Sequence, residues 1–323
     1  MRKVSTKKIT SIGGSALIEG IMMRGPKRTT VCVRTGENEI YSEDIKMTTI
    51  PEKCKLFKLP LLRGIAGLID SMRLSYKSLM LSADKAVEAG EVEEEEPSKF
   101  EKWLDEKFGD KLVKVIMVFA SILGVALAVA LFFFLPSFLF DLTANVVPVF
   151  QGNGESAVFW KSVFEGVLKI ALFLGYIVLC SQMTEMKRVF MYHGAEHKTI
   201  FCYENEEELT VENVRKQIRF HPRCGTSFMV LMLIVGIVIG LFIPVAPFGI
   251  GFLRPVFKIL LLPVSCGIGY ELIKICGKHD NAFTRVIAAP GLWAQRITTK
   301  EPDDKMIEVA IEAMKAVIPD DGT

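Results

Sequence analysis

The chain has 323 residues, half of them hydrophobic, and a formal net charge of +2 at neutral pH. This near-neutral charge, without a basic stripe that carries interleaved aromatic residues, gives no reason to expect a nucleic-acid partner. The seven cysteines are scattered, and Cys180 and Cys266 lie in apolar runs, so free thiols are expected rather than a disulfide framework.

The N-terminal residues 1–58 have the pattern of a small β-rich unit. Residues 30–34 and 39–41 are rich in β-formers and flank a turn-rich tetrapeptide, which predicts a hairpin. The glycine-rich stretch 13–26 before it is interpreted as a packed loop. Its two charged residues, Glu19 and Arg24, either make buried pairing or capping contacts or reach into a polar site.

Residues 59–83 are predicted to form an amphipathic helix, because apolar residues recur at helical spacing opposite a charged face. Two placements are open for this helix: in a membrane interface, or docked on the helix bundle. Residues 88–98 form an acidic linker that is expected to be solvated.

Most of the hydrophobic residues that follow are concentrated in long blocks that contain few charges. Each block is at least as long as the roughly 20 residues needed to cross a hydrocarbon core. We therefore predict an integral membrane protein, mainly α-helical, with four transmembrane helices, a small N-terminal β-rich cytoplasmic unit and further cytoplasmic helical elements. The four blocks are residues 113–140, 159–183, 228–250 and 256–275.

Basic residues crowd the connection 185–225 and follow the last block, whereas the other two connections carry few of them. The positive-inside rule then predicts a multi-pass plasma-membrane protein with both termini and the middle connection in the cytoplasm. The predicted segments are the β-rich unit 1–58, the amphipathic helix and linker 59–110, transmembrane hairpin 111–184, the cytoplasmic connection 185–225, transmembrane hairpin 226–276 and the cytoplasmic C-terminal helices 277–323.

The middle connection contains the pattern that organises the functional hypothesis. His193, Glu196 and His197 stand at i, i+3 and i+4, so a helix would turn all three side chains to one face. This H-x-x-E-H spacing is that of the inverted zinc peptidases. The second spanning helix is expected to continue towards His193, and Gly194 is expected to weaken the helix or bend it.

His221 and Cys224 lie at the foot of the third apolar block and are candidate partners of this motif. Zinc held by His193, His197 and His221 would leave one position open, with Glu196 as general base. Cys224 as a fourth ligand would close the site and make it structural. The remaining alternative is that these histidines only hydrogen-bond within a packed domain. The fourth histidine, His279, is interpreted as a surface residue.

Proline and aspartate residues before a helical apolar pattern at 306–317 predict a final amphipathic helix that packs on the cytoplasmic domain.

Four phrases, GGSALIEGIMMRGP, YHGAEHKTIFCYE, HPRCGTSF and PGLWAQRITTKEPDD, occur in this order along the chain. In these phrases the sequence resembles the YqhQ-like bacterial proteins, a family of unknown function. Ser15 departs from the glutamine that is more usual there. The resemblance implies a membrane protein of this fold, in a family commonly labelled metal-dependent.

Together these patterns lead us to expect a zinc-dependent, peptidase-like hydrolase at the cytoplasmic face of the membrane. Its partner would be the lipid bilayer. The alternative is a non-catalytic membrane scaffold or accessory factor, with a structural metal or none. Such a factor would have a membrane-protein or protein-complex partner and would act in membrane-protein biogenesis.

Overall fold

The structure is a computed structural model that describes residues 8, 10–90, 115–116, 118–144, 146–151, 154–278 and 281–319. The expectations for most of the acidic linker and for His279 lie outside these residues. The described chain is mainly helical, with a small antiparallel sheet at its N-terminal end.

The strands are β1 (Gly13–Leu17), β2 (Gly20–Arg24), β3 (Thr29–Arg34) and β4 (Ile40–Asp44). The helices are α1 (Ile50–Lys53), α2 (Leu62–Glu88), α3 (Val118–Ala144), α4 (Glu155–Cys180), α5 (Thr184–Glu204), α6 (Val211–Lys216), α7 (Gly225–Gly240), α8 (Leu253–Leu260), α9 (Leu262–Lys278), α10 (Ala282–Thr298) and α11 (Asp304–Val317).

The chain divides into two compact units. The first, called the site unit below, consists of residues Met1–Val92, Phe173–Val235 and Pro263–Thr323. The second, the helical unit, consists of Glu93–Leu172 and Gly236–Leu262. The site unit is therefore assembled from three stretches of sequence, and the helical unit is inserted between them.

The sheet is a meander of four antiparallel strands in the order β1-β2-β3-β4. The predicted hairpin is confirmed as β3 and β4, in which Val33 pairs with Tyr41. The interpretation of residues 13–26 as a packed loop is wrong, because they form the β1–β2 hairpin, with Ala16 opposite Ile21. Its two-residue turn places Glu19 at φ 49°, in the left-handed region that such tight hairpins need.

The two central strands bury residues on both faces of the sheet. On one face Ile21, Met23 and Cys32 pack in a core to which helices α5 and α11 contribute. On the other face Leu17, Val31 and Val33 pack with Leu74 of α2. Covering both faces explains why β2 and β3 are continuous apolar runs rather than alternating ones.

The amphipathic helix predicted over 59–83 is confirmed as α2, but its orientation is the reverse of the usual one. Apart from Leu74, the buried side is small or polar, and it includes Gly64, Asp70 and Ser78. The apolar side is exposed, and its members are Ile69, Met72, Tyr76, Leu79 and Met80.

Two helices, α3 and α4, are long and apolar enough to cross a membrane, with 27 and 26 residues. The bent pair α8 and α9, at 46° to each other, adds a third if it is counted as one span. Helix α7 is apolar but has only 16 residues. The described part of the chain thus supports two or three spans by length and composition, where the sequence predicted four.

Proline explains why the third and fourth apolar blocks are broken. Pro244 and Pro247 follow the end of α7 and prevent helix from filling the rest of that block. Pro263 stands at the second position of α9, where its missing N–H ends the hydrogen-bond ladder that would have continued from α8.

The second spanning helix does not continue to His193, contrary to expectation. Helix α4 ends at Cys180, three residues of turn follow, and α5 starts at Thr184 with its own N-terminus. The final amphipathic helix is confirmed as α11, which buries Met306, Ile307 and Met314 against α5 and the central strands.

Candidate metal centre

Helix α5 places the motif residues as the spacing predicts. The rings of His193 and His197 lie one turn apart with their centroids separated by 4.4 Å. The helix runs without interruption through Gly194, so the expected bend is absent. Both imidazoles therefore project from one rigid surface.

Gly194 has a packing function rather than a hinge function. A Cβ atom at this position would lie 2.0 Å from the carbonyl oxygen of Lys300. The segment that contains Lys300 crosses α5 at this point, and the Lys300 amide holds it there by donating to the Phe190 carbonyl at 2.8 Å. Glycine thus lets the segment after α10 pass directly over the motif.

Cys224 reaches this surface because the connection after α5 folds back on the helix. Its Sγ atom lies 3.2 Å from His193 Nε2. One ligand atom from each of His193, His197 and Cys224 lies within 4.8 Å of the others. The two clusters that the sequence left at an unknown separation are thus brought together.

The second ring nitrogen of each histidine determines which atom faces the cluster. His193 Nδ1 donates to the Thr298 carbonyl at 2.9 Å, and His197 Nδ1 donates to the Arg219 carbonyl at 2.6 Å. A carbonyl oxygen only accepts, so each Nδ1 carries a proton and each Nε2 is left for the cluster. Such backbone anchoring of the far nitrogen is usual for metal-ligating histidines.

Three electron-pair donors at this separation repel one another unless a cation or a proton lies between them. Burial by itself lowers the pKa of His193, but attraction to Cys224 and Glu196 together with the hydrogen bonds to Cys224 and the Thr298 carbonyl outweighs burial and raises that pKa to about 9. Burial by itself raises the pKa of Cys224, but the two imidazoles hold it well below its usual value. The cluster therefore stabilises a thiolate, which is the form that binds metals.

Glu196 lies in the same buried region, with 4% of its surface exposed. Burial raises the pKa of its carboxyl, and the Gly14 amide of β1 donates a hydrogen bond to it. Its Oε2 atom has no hydrogen-bond partner among the described residues. A Cβ on Gly14 would lie 2.9 Å from the Glu196 carboxyl carbon, so only glycine allows this approach.

His221, the third predicted histidine ligand, is placed beside the cluster rather than in it. Its ring centroid is 5.6 Å from that of His197. Its Nδ1 accepts from the Arg223 amide at 3.3 Å, and its Nε2 lies 3.8 Å from a Glu204 carboxylate oxygen. Both ring nitrogens are thus directed to other partners.

Gln295 of α10 holds the segment that carries His221 and Cys224, and the sequence reasoning missed it. Its side-chain oxygen accepts from the His221 amide, and its nitrogen donates to the His221 carbonyl, each at 2.7 Å. The same nitrogen donates to Ser227 Oγ at 2.8 Å. The signal was present, because Gln295 and Thr298 lie in one of the four characteristic phrases and Gly14 in another.

These residues fit a divalent transition metal by the chemistry of their donors. Two imidazole nitrogens and one thiolate match a zinc ligand set that leaves one position for a water molecule or a substrate. The neighbouring carboxylate supplies a proton acceptor. The arrangement has the components of a metal-assisted hydrolytic site.

The fold and this cluster define a class: a mainly helical protein with two or three membrane-length helices and a buried His–His–Cys cluster beneath an N-terminal sheet. The chain belongs to the family described as "Protein of unknown function (DUF1385)", whose model matches residues 59–320. It is 34% identical over 308 residues to the "Uncharacterized protein YqhQ" of Bacillus subtilis (strain 168). The match covers 95% of this chain and 92% of that protein.

The resemblance to the YqhQ-like family is thereby confirmed. No solved structure matches the chain.

Proposed function

We propose that this protein is a zinc-dependent, peptidase-like hydrolase that acts at the cytoplasmic face of the membrane. The observation that carries the proposal is the convergence of His193, His197 and Cys224, with both far histidine nitrogens anchored to backbone carbonyls. A proton on one Nε2 atom can be shared by only two of the three electron-pair donors, whereas a metal ion can accept an electron pair from all three.

In this proposal His193, His197 and Cys224 hold the zinc ion. A bound zinc ion supplies a Lewis acid, and it lowers the pKa of a water molecule so that a nucleophile is available at neutral pH. His221 takes no part as a ligand and remains paired with Glu204. The third ligand of the open site is therefore Cys224, where the sequence predicted His221.

Glu196 is the proposed general base. Its burial raises its pKa towards the range in which a carboxylate accepts a proton and returns it efficiently. Its free Oε2 atom is the acceptor. The Gly14 amide fixes the carboxylate without neutralising it.

The second candidate is a membrane scaffold with a structural metal, and the burial of the cluster favours it. His197 is 2% exposed and Cys224 is 8% exposed, as in a closed site. In that case the metal would tie the segment before α7 to α5, and Glu196 would be dispensable.

We further propose four membrane crossings: α3, α4, α7 and the pair α8–α9. At 1.5 Å per residue α7 covers about 24 Å, short of a hydrocarbon core of about 30 Å, so its flanking turns would complete the crossing. An even number of crossings leaves both termini on one side. The basic residues of the middle connection make that side the cytoplasm.

Metal content tests the ligand set. Detergent-purified full-length protein is expected to hold one zinc ion per chain by elemental analysis, and Cys224→Ser or His193→Ala to lose it. Cys202→Ser is the matched control, because Cys202 is also buried but donates to the carbonyl of Glu208 at 3.4 Å. Wild-type protein without stoichiometric metal would rule the proposal out.

Hydrolysis tests the role of Glu196. A peptide library incubated with the wild-type protein and read by mass spectrometry is expected to show cleavage that a chelator abolishes. Glu196→Gln is expected to retain zinc and to lose cleavage by a factor of about 10² to 10⁴. Full cellular function of this variant, with no cleavage by either protein, would favour the scaffold.

A further inference from the structure

Helix α2 carries an apolar face that nothing in the described site unit covers. A helix of a globular domain normally turns its apolar stripe to the core. Here the core-facing side is small or polar except for Leu74, and Met72 and Tyr76 on the opposite side are 65% and 68% exposed. An exposed apolar patch of this kind marks a contact with a protein, a ligand or a membrane.

Helix α10 has the same arrangement. Phe283, Val286 and Trp293 are spaced by three and seven residues, so they lie on one side of the helix, and all three are exposed. The opposite side buries Gly291 and Gln295. Two helices of the site unit thus turn apolar residues outward.

Both helices are fixed to the apolar helices of the chain by close backbone approaches. A Cβ on Gly64 of α2 would lie 3.0 Å from the Cα of Gly267 in α9. A Cβ on Gly291 of α10 would lie 2.6 Å from the Cα of Ser227 in α7. These distances leave no room for an intervening layer.

A polar contact strengthens the junction of α2 with α9. Arg63 Nε donates to a Glu271 carboxylate oxygen at 2.6 Å, and a second guanidinium nitrogen donates to the other oxygen. A two-pronged pair of this kind fixes the direction of the helix as well as its distance. The apolar face of α2 therefore begins beside α9, which forms the bent pair of membrane length together with α8.

We propose that α2 and α10 lie in the membrane–water interface, with these two apolar faces inserted at the boundary between headgroups and acyl chains. The occupant is the lipid of the bilayer that the apolar helices cross. The proposal rests on membrane insertion of those helices and is independent of the metal.

The composition of the two faces agrees with lipid. Tyr76 and Trp293 are residue types that concentrate at membrane interfaces, since each joins an apolar body to a polar group. Arg73 and Lys77 flank the α2 face and are exposed, and although Arg73 also pairs with Asp70 at 3.5 Å, both cations are placed to meet lipid phosphates.

This placement would connect the bilayer to the candidate metal centre. Helix α10 presents Trp293 outward, and two residues later Gln295 holds the segment of His221 and Cys224. The backbone carbonyl of its last residue, Thr298, accepts a hydrogen bond from His193 Nδ1. A helix seated in the interface thus also sets the geometry of the cluster.

Photo-crosslinking tests the proposal with the full-length chain in nanodiscs of phosphatidylethanolamine and phosphatidylglycerol. p-Benzoylphenylalanine replaces Tyr76 in one variant and Trp293 in another. Ser71, exposed on the other side of α2, takes the same substitution as control. Intact-protein mass spectrometry identifies the adducts, and circular dichroism with size exclusion confirms that each variant is folded.

Lipid-mass adducts at positions 76 and 293, several-fold more abundant than at position 71, are the expected result. A crosslinked dimer would show that a second copy covers the face. A crosslink to residues 91–114 would show that a segment of the same chain covers it. Either result, or equal lipid labelling at all three positions, overturns the proposal.

Discussion

At the scale of single residues, Gln295 is the side chain on which the position of Cys224 depends most. It makes three buried hydrogen bonds, two of them to the backbone of His221. In Gln295→Ala the His221 amide and carbonyl lose these partners, and each buried polar group left unpaired costs about 1–3 kcal/mol.

We therefore expect Gln295→Ala to lower the free energy of unfolding by about 2–3 kcal/mol and to weaken zinc retention. Chemical denaturation in detergent and elemental analysis measure the two effects. Gln217→Ala serves as control, because this partly buried glutamine bonds to the Asn205 side chain, away from the cluster. Equal losses of stability and zinc in the two variants would show that Gln295 has no special role in positioning the cluster.

The buried His221 makes stability depend on pH. Burial lowers its pKa from about 6.5 to about 4, although the neighbouring Glu204 carboxylate works in the opposite direction. Between these values the unfolded chain binds a proton that the folded chain does not. Stability is therefore lost as pH falls from about 6.5 to about 4, by roughly 3 kcal/mol at the lower end.

Thermal unfolding at a series of pH values measures this loss. Glu204 contributes mainly at lower pH: burial alone raises its pKa, but hydrogen bonds and Arg223 reduce it from 4.5 to about 2, so its effect overlaps that of His221 only below about pH 4.5. His221→Asn is expected to flatten the profile between pH 6.5 and 4. An unchanged slope in this variant would assign the dependence to another group.

At this scale the sequence predicted the placement of side chains correctly where residues of metal-binding type also stand at helical spacing. The i, i+3, i+4 pattern predicted the shared face of His193, Glu196 and His197. The anchors of those histidines were not predictable, because Thr298 and Arg219 contribute backbone carbonyls, which any residue type has. The involvement of Gly14 needed the sheet register and the packing of β1 on α5.

At the scale of elements, the crossing of α5 by the segment after α10 is the most constrained contact near the cluster. Gly194→Ala puts a methyl group where the Lys300 carbonyl lies. The segment must move, so we expect a destabilisation of about 1–3 kcal/mol, typical of overpacking, and weaker zinc binding.

Gly236→Ala is the matched control for this substitution. Gly236 is also helical, and a Cβ there would meet no atom within 4 Å. It is expected to be neutral or stabilising by up to about 1 kcal/mol, since alanine favours helix over glycine. Denaturant midpoints of the two variants, read side by side, make the comparison. A neutral Gly194→Ala would mean that the crossing is looser than its geometry indicates.

The elements also show where sequence periodicity is ambiguous. The apolar repeat of α2 predicted a helix correctly but not the direction in which its apolar side points. Periodicity identifies a stripe, and only tertiary packing decides whether protein or another apolar phase covers it. The apolar blocks that break after α7 and at Pro263 show a different ambiguity. Their high hydropathy predicted continuous helices, but the prolines within them decide where each helix ends.

At the scale of the whole molecule, α11 closes the site unit. It contributes Ile307, Ala310 and Met314 to the core that also contains Ile21 of the sheet. Truncation after residue 303 removes that layer and exposes the buried side of β2 and β3. We expect the sheet to become accessible to limited proteolysis and the chain to lose zinc.

Truncation after residue 319 is the control, because it removes only residues beyond the end of α11. Protease-resistant fragments and metal content are compared between the two chains. If the shorter chain keeps both the resistant sheet and its zinc, the core does not depend on α11 in the way that its contacts indicate.

The split of the site unit into three stretches bears on the order of events during synthesis. The N-terminal sheet leaves the ribosome first, yet the helix that covers it is encoded within the last 20 residues of the chain. In the proposed topology, all the apolar helices are synthesised, and would enter the membrane, before α11 exists. Since domains normally fold as units from the N-terminus, the sheet has to persist with one face uncovered, or with a chaperone on it, until α11 has been synthesised. A nascent chain stalled before residue 304 is therefore expected to be prone to aggregation, and the proposed metal would be bound only after α11 has formed.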